Sequence, residues 1–358
     1  MKSGCRLWYN GGVKVLVIKI AAIGDFLMAT PALRSLKASS QVSELMVLAG
    51  RSIQTVVEAS RLADKIYYLD DRVIFRGHRW QKIAAVWRIS RRLRRERIDI
   101  GFNFHRDWRF SIILRLAGIP RRIGFARGAR YRLLTDAVAI DGIKHHIFHY
   151  CDLVRVLGVT CLDFRMAFVV PAKVDLHVQR RLLKPAKLAD YVAIAPGGAS
   201  NVKERMEIRR WGADHYAALA GMLVSRGRPV VLVGSDDDAA IAAVITKSHP
   251  QVIDWTGKTT LVEAAAILKR SRLVISNDSG LMHLAAAVGA RVLAIFGPTH
   301  PAEKKPLTPG SRAVWKGEKL ACAPCYRDGR FPQGCSRLDC FERVSPQEIC
   351  RLAEKMWD

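Results

Sequence analysis

The sequence predicts an α/β protein of two Rossmann-like, doubly wound domains facing across a cleft. Three observations carry this expectation. Short, nearly continuous apolar runs alternate with helical patterns, as in parallel sheets covered on both faces. The alternation runs twice, with a proline-containing break between the copies. The chain has 358 residues, 50% of them apolar, which is too long for one ordinary core and suits two.

The first copy has strands at Val13–Ile18, Glu44–Leu48 and Asp99–Phe104, with helices at Phe26–Ala38 and Trp80–Arg95. In the second of these helices Trp80, Ile83, Trp87, Ser90 and Leu93 share a face, while Arg88, Arg91, Arg92, Arg94 and Arg95 crowd elsewhere. The stretch Phe164–Lys187, with Pro171 and Pro185, loses the rhythm, so the boundary is placed near residue 172, giving domains 1–172 and 173–358. The second copy has strands at Tyr191–Ala195, Pro229–Val233, Leu273–Ser276 and Arg291–Phe296. Its helices are Asp214–Arg226, Asp236–Ser248, Leu261–Arg270 and Gly280–Val288. Ligands of such sheets bind outside the carboxyl ends of strands, which directs attention to the loops after Ile18, Ala195, Val233 and Ser276.

Lys plus Arg number 58 against 32 Asp plus Glu, a net charge of +26. An excess of this size suits an anionic partner: nucleic acid, a membrane surface or a phosphorylated substrate. The apolar stretch VKVLVIKIAAI carries Lys14 and Lys19 and is followed by no small-residue cleavage site, so it is not read as a secretory signal. No apolar run approaches the roughly 18 residues of a membrane span. A cytosolic protein is expected, whose 8 cysteines are thiols or metal ligands rather than disulfides.

After the first strand, Gly24 permits a tight turn and Asp25 stands where a helix cap belongs. Asp25 is either that cap or a carboxylate aimed into the cleft as a general base. Pro31 close behind it suggests a late start or a kink. After the Tyr191 strand, Gly197 and Gly198 let backbone N–H groups approach an anion, and Ser200, Lys203, Arg209 and Arg210 are candidate donors. In GSDDDAA, Asp236 and Asp238 either favour a helix N-terminus or hold a ribose hydroxyl pair. In VISNDSGLMHLAAAVGA, Asp278 or Ser279 caps a helix, Gly280 leaves its first turn bare, and His283 lies on that turn. Free N–H groups beside a positive dipole there make a site for a diphosphate. The next strand ends in FGPTHP, bringing Thr299 to the same border. Cys322, Cys325, Cys335 and Cys340, in CAPCYRDGRFPQGCSRLDC, are either a structural tetrahedral metal site or reduced thiols. Cys5, Cys151, Cys161 and Cys350 show no ligand spacing.

Together these loops resemble one family, the ADP-heptose-dependent heptosyltransferases of lipopolysaccharide core assembly, glycosyltransferase family 9. The resemblance rests on Gly24-Asp25 with Thr30-Pro31-Ala32-Leu33, and on NDSGLMHLAAAVGARVLAIFGPTHP at Asn277–Pro301. GIPRRIGF at Gly118–Phe125, HHIFHYCDLVRVLG at His145–Gly158 and RRWGADHYAALAGML at Arg209–Leu223 extend it over most of residues 13–350. It implies a GT-B fold and metal-independent, inverting transfer of heptose from ADP-L-glycero-D-manno-heptose to the Kdo/heptose inner core, with no cofactor required for catalysis. By the same resemblance Asp25 is the base, and Asp278, Ser279, Gly280 and His283 hold the sugar diphosphate. Asp238 falls where an acidic nucleoside contact is expected, and Arg209 where the family has a phosphate-binding Lys. Three features depart from the pattern. Ala21 and Ala22 stand where serines often precede the first corner, Arg replaces Lys at 209, and the loop Ser200–Ile208 is long enough for Lys203 to compete with Arg209.

The basic excess then has a use, since the implied acceptor is a phosphorylated glycolipid at the cytoplasmic face of the inner membrane. Arg106, Arg109, Arg121 and Arg122 are candidates for its carboxylates or phosphates, and the row Arg88–Arg95 reads as a solvated face open to peripheral contact with anionic lipid. A structural zinc or iron at the four cysteines is the one metal expected. The rivals are transfer of another nucleotide sugar or to a protein, and a non-enzymatic nucleic-acid binder. No nucleic-acid module is recognisable, so no nucleic-acid partner is expected.

Overall fold

The computed structural model describes residues 12–126, 132–198, 207–325, 335 and 337–357. It contains two six-stranded sheets. The first comprises β1 (Val13–Lys19), β2 (Val42–Gly50), β3 (Lys65–Leu69), β4 (Ile100–Asn103), β5 (Arg121–Phe125) and β6 (Asp136–Val138), all parallel, in the order β3-β2-β1-β4-β5-β6. The second comprises β7 (Val192–Ala195), β8 (Val230–Leu232), β9 (Ile253–Asp254), β10 (Leu273–Asn277), β11 (Val292–Phe296) and β12 (Arg312–Trp315), again all parallel, in the order β12-β11-β10-β7-β8-β9. Counted from its own first strand, each sheet has the same strand order, so the repeat in the sequence is a repeat of topology. In each, the order reverses between two central strands: β1 and β4, then β7 and β10. That reversal opens the crevice where doubly wound sheets place ligands.

The chain divides into two compact units. The first is Met1–Ala21, Ala29–Gly142 and Ile147–Phe164; the second is Ala22–Met28, Ile143–His146 and Arg165–Asp358. In the first, Leu16, Ile18, Met46 and Leu48 of the sheet pack with Ile89, Leu93, Phe110 and Ile113 of the covering helices. In the second, Val192, Ile194, Ile275 and Ile295 pack with Trp211, Tyr216, Leu223, Phe341 and Ile349. Trp211 is wholly buried, so its indole N–H needs a partner, and it donates to Val344 O at 2.9 Å.

Every strand expected from the sequence is present. The structure adds β3, β5, β6, β9 and β12, all of them toward the outer positions of their sheets. They are short or polar, and β5 opens on Arg121 and Arg122, so no apolar run marks them. The first helix, Ile23–Ala38, begins three residues earlier than expected, which puts Asp25 in its first turn rather than at its cap. Pro31 lies inside it without ending it. The helix Arg79–Arg94 sits differently from its sequence pattern. Ala85, Ile89, Ser90 and Leu93 are its buried residues, whereas Trp80, Ile83 and Trp87 are exposed. Among the described residues no helix is long and apolar enough to cross a membrane.

Candidate functional site

The crevice of the second sheet is built where β7 and β10 part after pairing Ser276 with Ala195. Asn277 ends β10 fully buried, and its amide has four partners. Trp211 N–H and Tyr216 O–H donate to Oδ1 at 3.1 and 2.9 Å, and Nδ2 donates to Pro196 O and Gly197 O at 2.8 and 3.2 Å. One side chain thus fixes the loop after β7 against the loop after β10. Sequence reasoning quoted Asn277 within its turn without assigning it this role. The two glycines of that loop are required by space: a Cβ at Gly197 would lie 2.1 Å from the Asp238 carboxylate, and one at Gly198, whose φ is +100°, would lie 2.3 Å from Ser279 Cβ.

Ser279 caps the helix Gly280–Ala287 in extended conformation, accepting from Met282 N–H at 3.3 Å. Beside it Asp278 is buried, with Arg209 Nη2 3.0 Å from its Oδ2 and also donating to its backbone carbonyl. Burial pushes the Asp278 pKa up, but the charges of Arg209 and Lys304 outweigh it and hold this carboxyl well below the usual range. Thr299 is buried beside the same carboxylate. Both Asp278 oxygens, Thr299 Oγ1 and the Nε groups of Arg209 and Arg210 are buried without a well-aligned hydrogen bond among the described residues. Polar groups of this kind have hydrogen-bonding capacity left for a polar ligand.

His283 lies one turn into that helix, 3.9 Å from Asp278 Oδ1. Burial drives its pKa down to about 4 against the pull of Asp278, and Lys304 and His145 add to the lowering. The imidazole is therefore neutral at pH 7. The first turn of Ile23–Ala38 packs against it. A Cβ at Gly24 would come within 2.4 Å of the ring, and one at Gly280 would touch Ile23 at 3.4 Å. Two helix N-termini thereby meet at one corner of the second unit. Asp25 is partly exposed there, with His146 Nδ1 3.9 Å from its Oδ1. Next to it, buried His145 contacts Lys305 O at 2.9 Å through Nε2, and burial lowers its pKa. Sequence reasoning did not place Lys304, His145 or His146 here; the only signals were two adjacent histidines opening a helix and two adjacent lysines after FGPTHP.

Asp238 lies beneath Gly197. Its Oδ2 accepts from Ser235 N–H and Oγ at 3.0 and 2.9 Å, and Arg210 reaches its Oδ1 at 2.7 Å. Asp238, Arg209, Gly197, Asp278, Ser279, Gly280, His283 and Thr299 are thus gathered in the second unit together with Gly24 and Asp25. Ser200 and Lys203 lie outside the described residues. The expected acceptor arginines belong to the first unit and do not form one cluster of shared contacts. Arg109 pairs with Asp107 at 2.5 Å, Arg121 with Asp136 at 3.1 Å, and Arg122 donates to the carbonyls of Ile119, Pro120 and Leu133. Arg106 is half-buried.

Cys322, Cys325, Cys335 and Cys340 line a common cavity of about 220 Å³. Burial, then the nearness of the other three, pushes the Cys340 thiol up to about 11. Among the described residues, however, no three His, Cys, Asp or Glu side chains form a ligand group. The spacing that suggested a tetrahedral centre is thus met by proximity and not by ligand geometry.

A model of the family described as glycosyltransferase family 9 (heptosyltransferase) matches residues 86–333. Lipopolysaccharide heptosyltransferase 2 of Salmonella typhimurium is 27% identical over 84% of this chain and 88% of its own. Lipooligosaccharide heptosyltransferase 2 of Haemophilus influenzae is 27% identical over 96% of this chain and all of its own. Among solved structures, Escherichia coli ADP-heptose lipopolysaccharide heptosyltransferase II superposes with a TM-score of 0.74 at 21% identity, over 96% of this chain and 98% of that one. This likeness and the two parallel sheets establish the two-domain α/β architecture as GT-B.

Proposed function

From the premise that the chain belongs to glycosyltransferase family 9, the heptosyltransferases, and so is a glycosyltransferase, we propose that it transfers heptose from ADP-L-glycero-D-manno-heptose to the Kdo/heptose inner core of lipopolysaccharide. The names of its relatives support the acceptor class. The observation that carries the site is the packing of the turn bearing Asp25 on His283 and Gly280. It sets a candidate base beside a candidate diphosphate cradle.

In this reading the Asp25 carboxylate takes the proton of the acceptor hydroxyl as its oxygen attacks the anomeric carbon. The bond from that carbon to the β-phosphate oxygen breaks on the opposite side, and ADP leaves with inversion. The N–H groups at Ser279 and Gly280, the dipoles of two helices and the cation of Arg209 or Lys203 stabilise the departing charge. Asp278 has the wrong charge to bind a diphosphate directly; it serves by holding Arg209. Neutral His283 offers a ring N–H or lone pair without adding charge. The loop of Gly197 and Gly198, supported by Asp238, faces the nucleotide. Residues 1–172 serve the acceptor, through Arg106, Arg109, Arg121 or Arg122, and residues 173–358 the donor, with the protein working at the cytoplasmic face of an anionic membrane. The four thiols are kept as a candidate structural zinc or iron site on the strength of their shared cavity and soft donor chemistry, with no part in the transfer.

A mass-spectrometric transfer assay with ADP-, UDP- and GDP-sugars tests the reading. Transfer from ADP-heptose to a Kdo-bearing acceptor is expected. Preference for a UDP- or GDP-sugar would overturn the donor assignment, and near wild-type turnover by Asp25→Ala would overturn the base. Elemental analysis of protein purified without chelator decides between the two readings of the thiols: about one metal per chain would restore the ligand site, and none would leave them reduced thiols.

A further inference from the structure

The helix Arg79–Arg94 has sixteen residues, about 24 Å, and its inward face is already satisfied. Ala85, Ile89 and Leu93 pack with Phe110, Ile113 and Leu114, and Ser90 Oγ reaches Ile113 O at 3.5 Å. Yet the opposite face carries Trp80, Ile83 and Trp87, which are 71%, 51% and 55% exposed. Spaced at i, i+3 and i+7, they form one ridge along the outside. Two tryptophans and an isoleucine side by side in water are a patch that asks for a partner, unlike scattered exposed apolar residues.

The surroundings say which partner. Residues 79–95 contain no Asp or Glu and carry Arg79, Lys82, Arg88, Arg91, Arg92, Arg94 and Arg95. At 100° per residue, Arg88, Arg91, Arg94 and Arg95 fall around the ridge on the same exposed side. The guanidinium of Arg79 sits 5.3 Å from the Trp80 ring centre, and that of Arg91 lies at the same distance from Trp87. The arginines thus stand beside the rings, so an approaching surface meets both at once. Indole rings favour the boundary between headgroups and acyl chains, and long basic side chains favour the headgroups above it.

We propose that this face is a docking surface for an anionic lipid bilayer, with Trp80, Ile83 and Trp87 entering the interface and the arginine rim on the headgroups. It deepens the reading of a glycolipid acceptor at a membrane and rests on that reading for its purpose, though not for the binding itself. A polyanion such as nucleic acid would complement the arginines but leave Ile83 and the indole edges in water. The ridge is what selects lipid.

The test is cosedimentation of the full chain with phosphatidylcholine vesicles, with and without phosphatidylglycerol. Binding is expected only to the anionic vesicles, with a blue shift in tryptophan emission and weakening as salt is raised. The combined variant Trp80→Ser, Ile83→Ser, Trp87→Ser is expected to lose binding by about tenfold or more, and so is Arg88→Gln with Arg91→Gln, Arg94→Gln and Arg95→Gln. Both sets alter exposed side chains, and both variants are expected to retain transfer to a lipid-free acceptor while losing it to an acceptor embedded in vesicles. Wild-type binding by the first variant would overturn the proposal. So would equal binding to neutral vesicles, or displacement from lipid by nucleic acid with no blue shift. Failure of all sugar transfer by the wild-type chain would sink the enzymatic reading and leave the vesicle result standing.

Discussion

The two sheets share a strand order, and the central strands β4 and β10 both end in a buried asparagine, yet the two crevices are chemically unlike. At the first, Asn103 works within its own segment. Its Nδ2 donates to Asp107 O and Ser111 Oγ at 3.0 and 2.9 Å, and its Oδ1 accepts from His105 N–H at 3.0 Å. His105 then turns back over the strand end, its Nε2 accepting from Ile20 N–H at 2.6 Å while its ring packs on Phe110. At this corner the strand-end side chains are bonded within their own unit. At the second, Asn277 reaches across to the neighbouring strand's loop, that loop carries two glycines, and the two oxygens of buried Asp278 lack a well-aligned hydrogen bond among the described residues. Topology places the crevice; the residues at strand ends decide whether it is filled or left to a ligand.

If the second corner is the one that holds the nucleotide, substitutions there should reach ADP binding or turnover, while replacing Asn103 at the first should leave ADP binding unchanged. The largest effect is expected at Asp25. Replacing it with Ala should lower turnover by about 10²–10⁴-fold while calorimetric ADP affinity stays within about twofold. Next is Arg209→Ala, which should cost about 10²–10³-fold in turnover and weaken ADP binding. It also leaves the buried Asp278 carboxylate unpaired, so a drop in the denaturation midpoint should accompany it. An unchanged midpoint would mean that Arg209 does not hold Asp278.

Acid sensitivity comes third. The folded-state pKa of His283 lies below its unfolded value, so between pH 6.5 and about 4 the unfolded chain binds a proton that the folded chain does not. Stability is therefore lost as pH falls through that window, by up to roughly 3 kcal/mol from this group. His283→Asn should flatten the loss in urea titrations across the same range. A slope identical to wild type would remove the buried neutral imidazole from the account. The smallest effect sharpens the comparison most. Asn103→Ala and Asn277→Ala should each destabilise by about 1–3 kcal/mol, because buried partners lose their hydrogen bonds. Only Asn277→Ala should also weaken ADP binding; equal loss in both variants would erase the distinction between the corners.

Much of this was readable in the chain. Strands β1, β7, β10 and β11 are largely buried on both faces and so appear as nearly continuous apolar runs. The turn at Asn277–Gly280 was readable because capping and glycine geometry are local chemistry. Outer strands such as Lys65–Leu69 were not, since an edge position tolerates the polar residues that hide a strand. The tilt of the helix Arg79–Arg94 was also hidden. Its apolar residues exceed what one face can bury, and only the packing of Ile89 and Leu93 on Phe110 shows which are left outside.

By itself, then, the sequence determined the repeated strand-helix pattern, a cap at Asp278 or Ser279, the bare turn after it and the basic excess, because each depends on residues close together in the chain. Only the tertiary structure decided that His283 is neutral, that Arg209 holds Asp278, that Lys304, His145 and the Asp25 turn gather at the same corner, and that two tryptophans face water. Charge state and exposure are set by neighbours in space, and those neighbours come from separate segments of the chain.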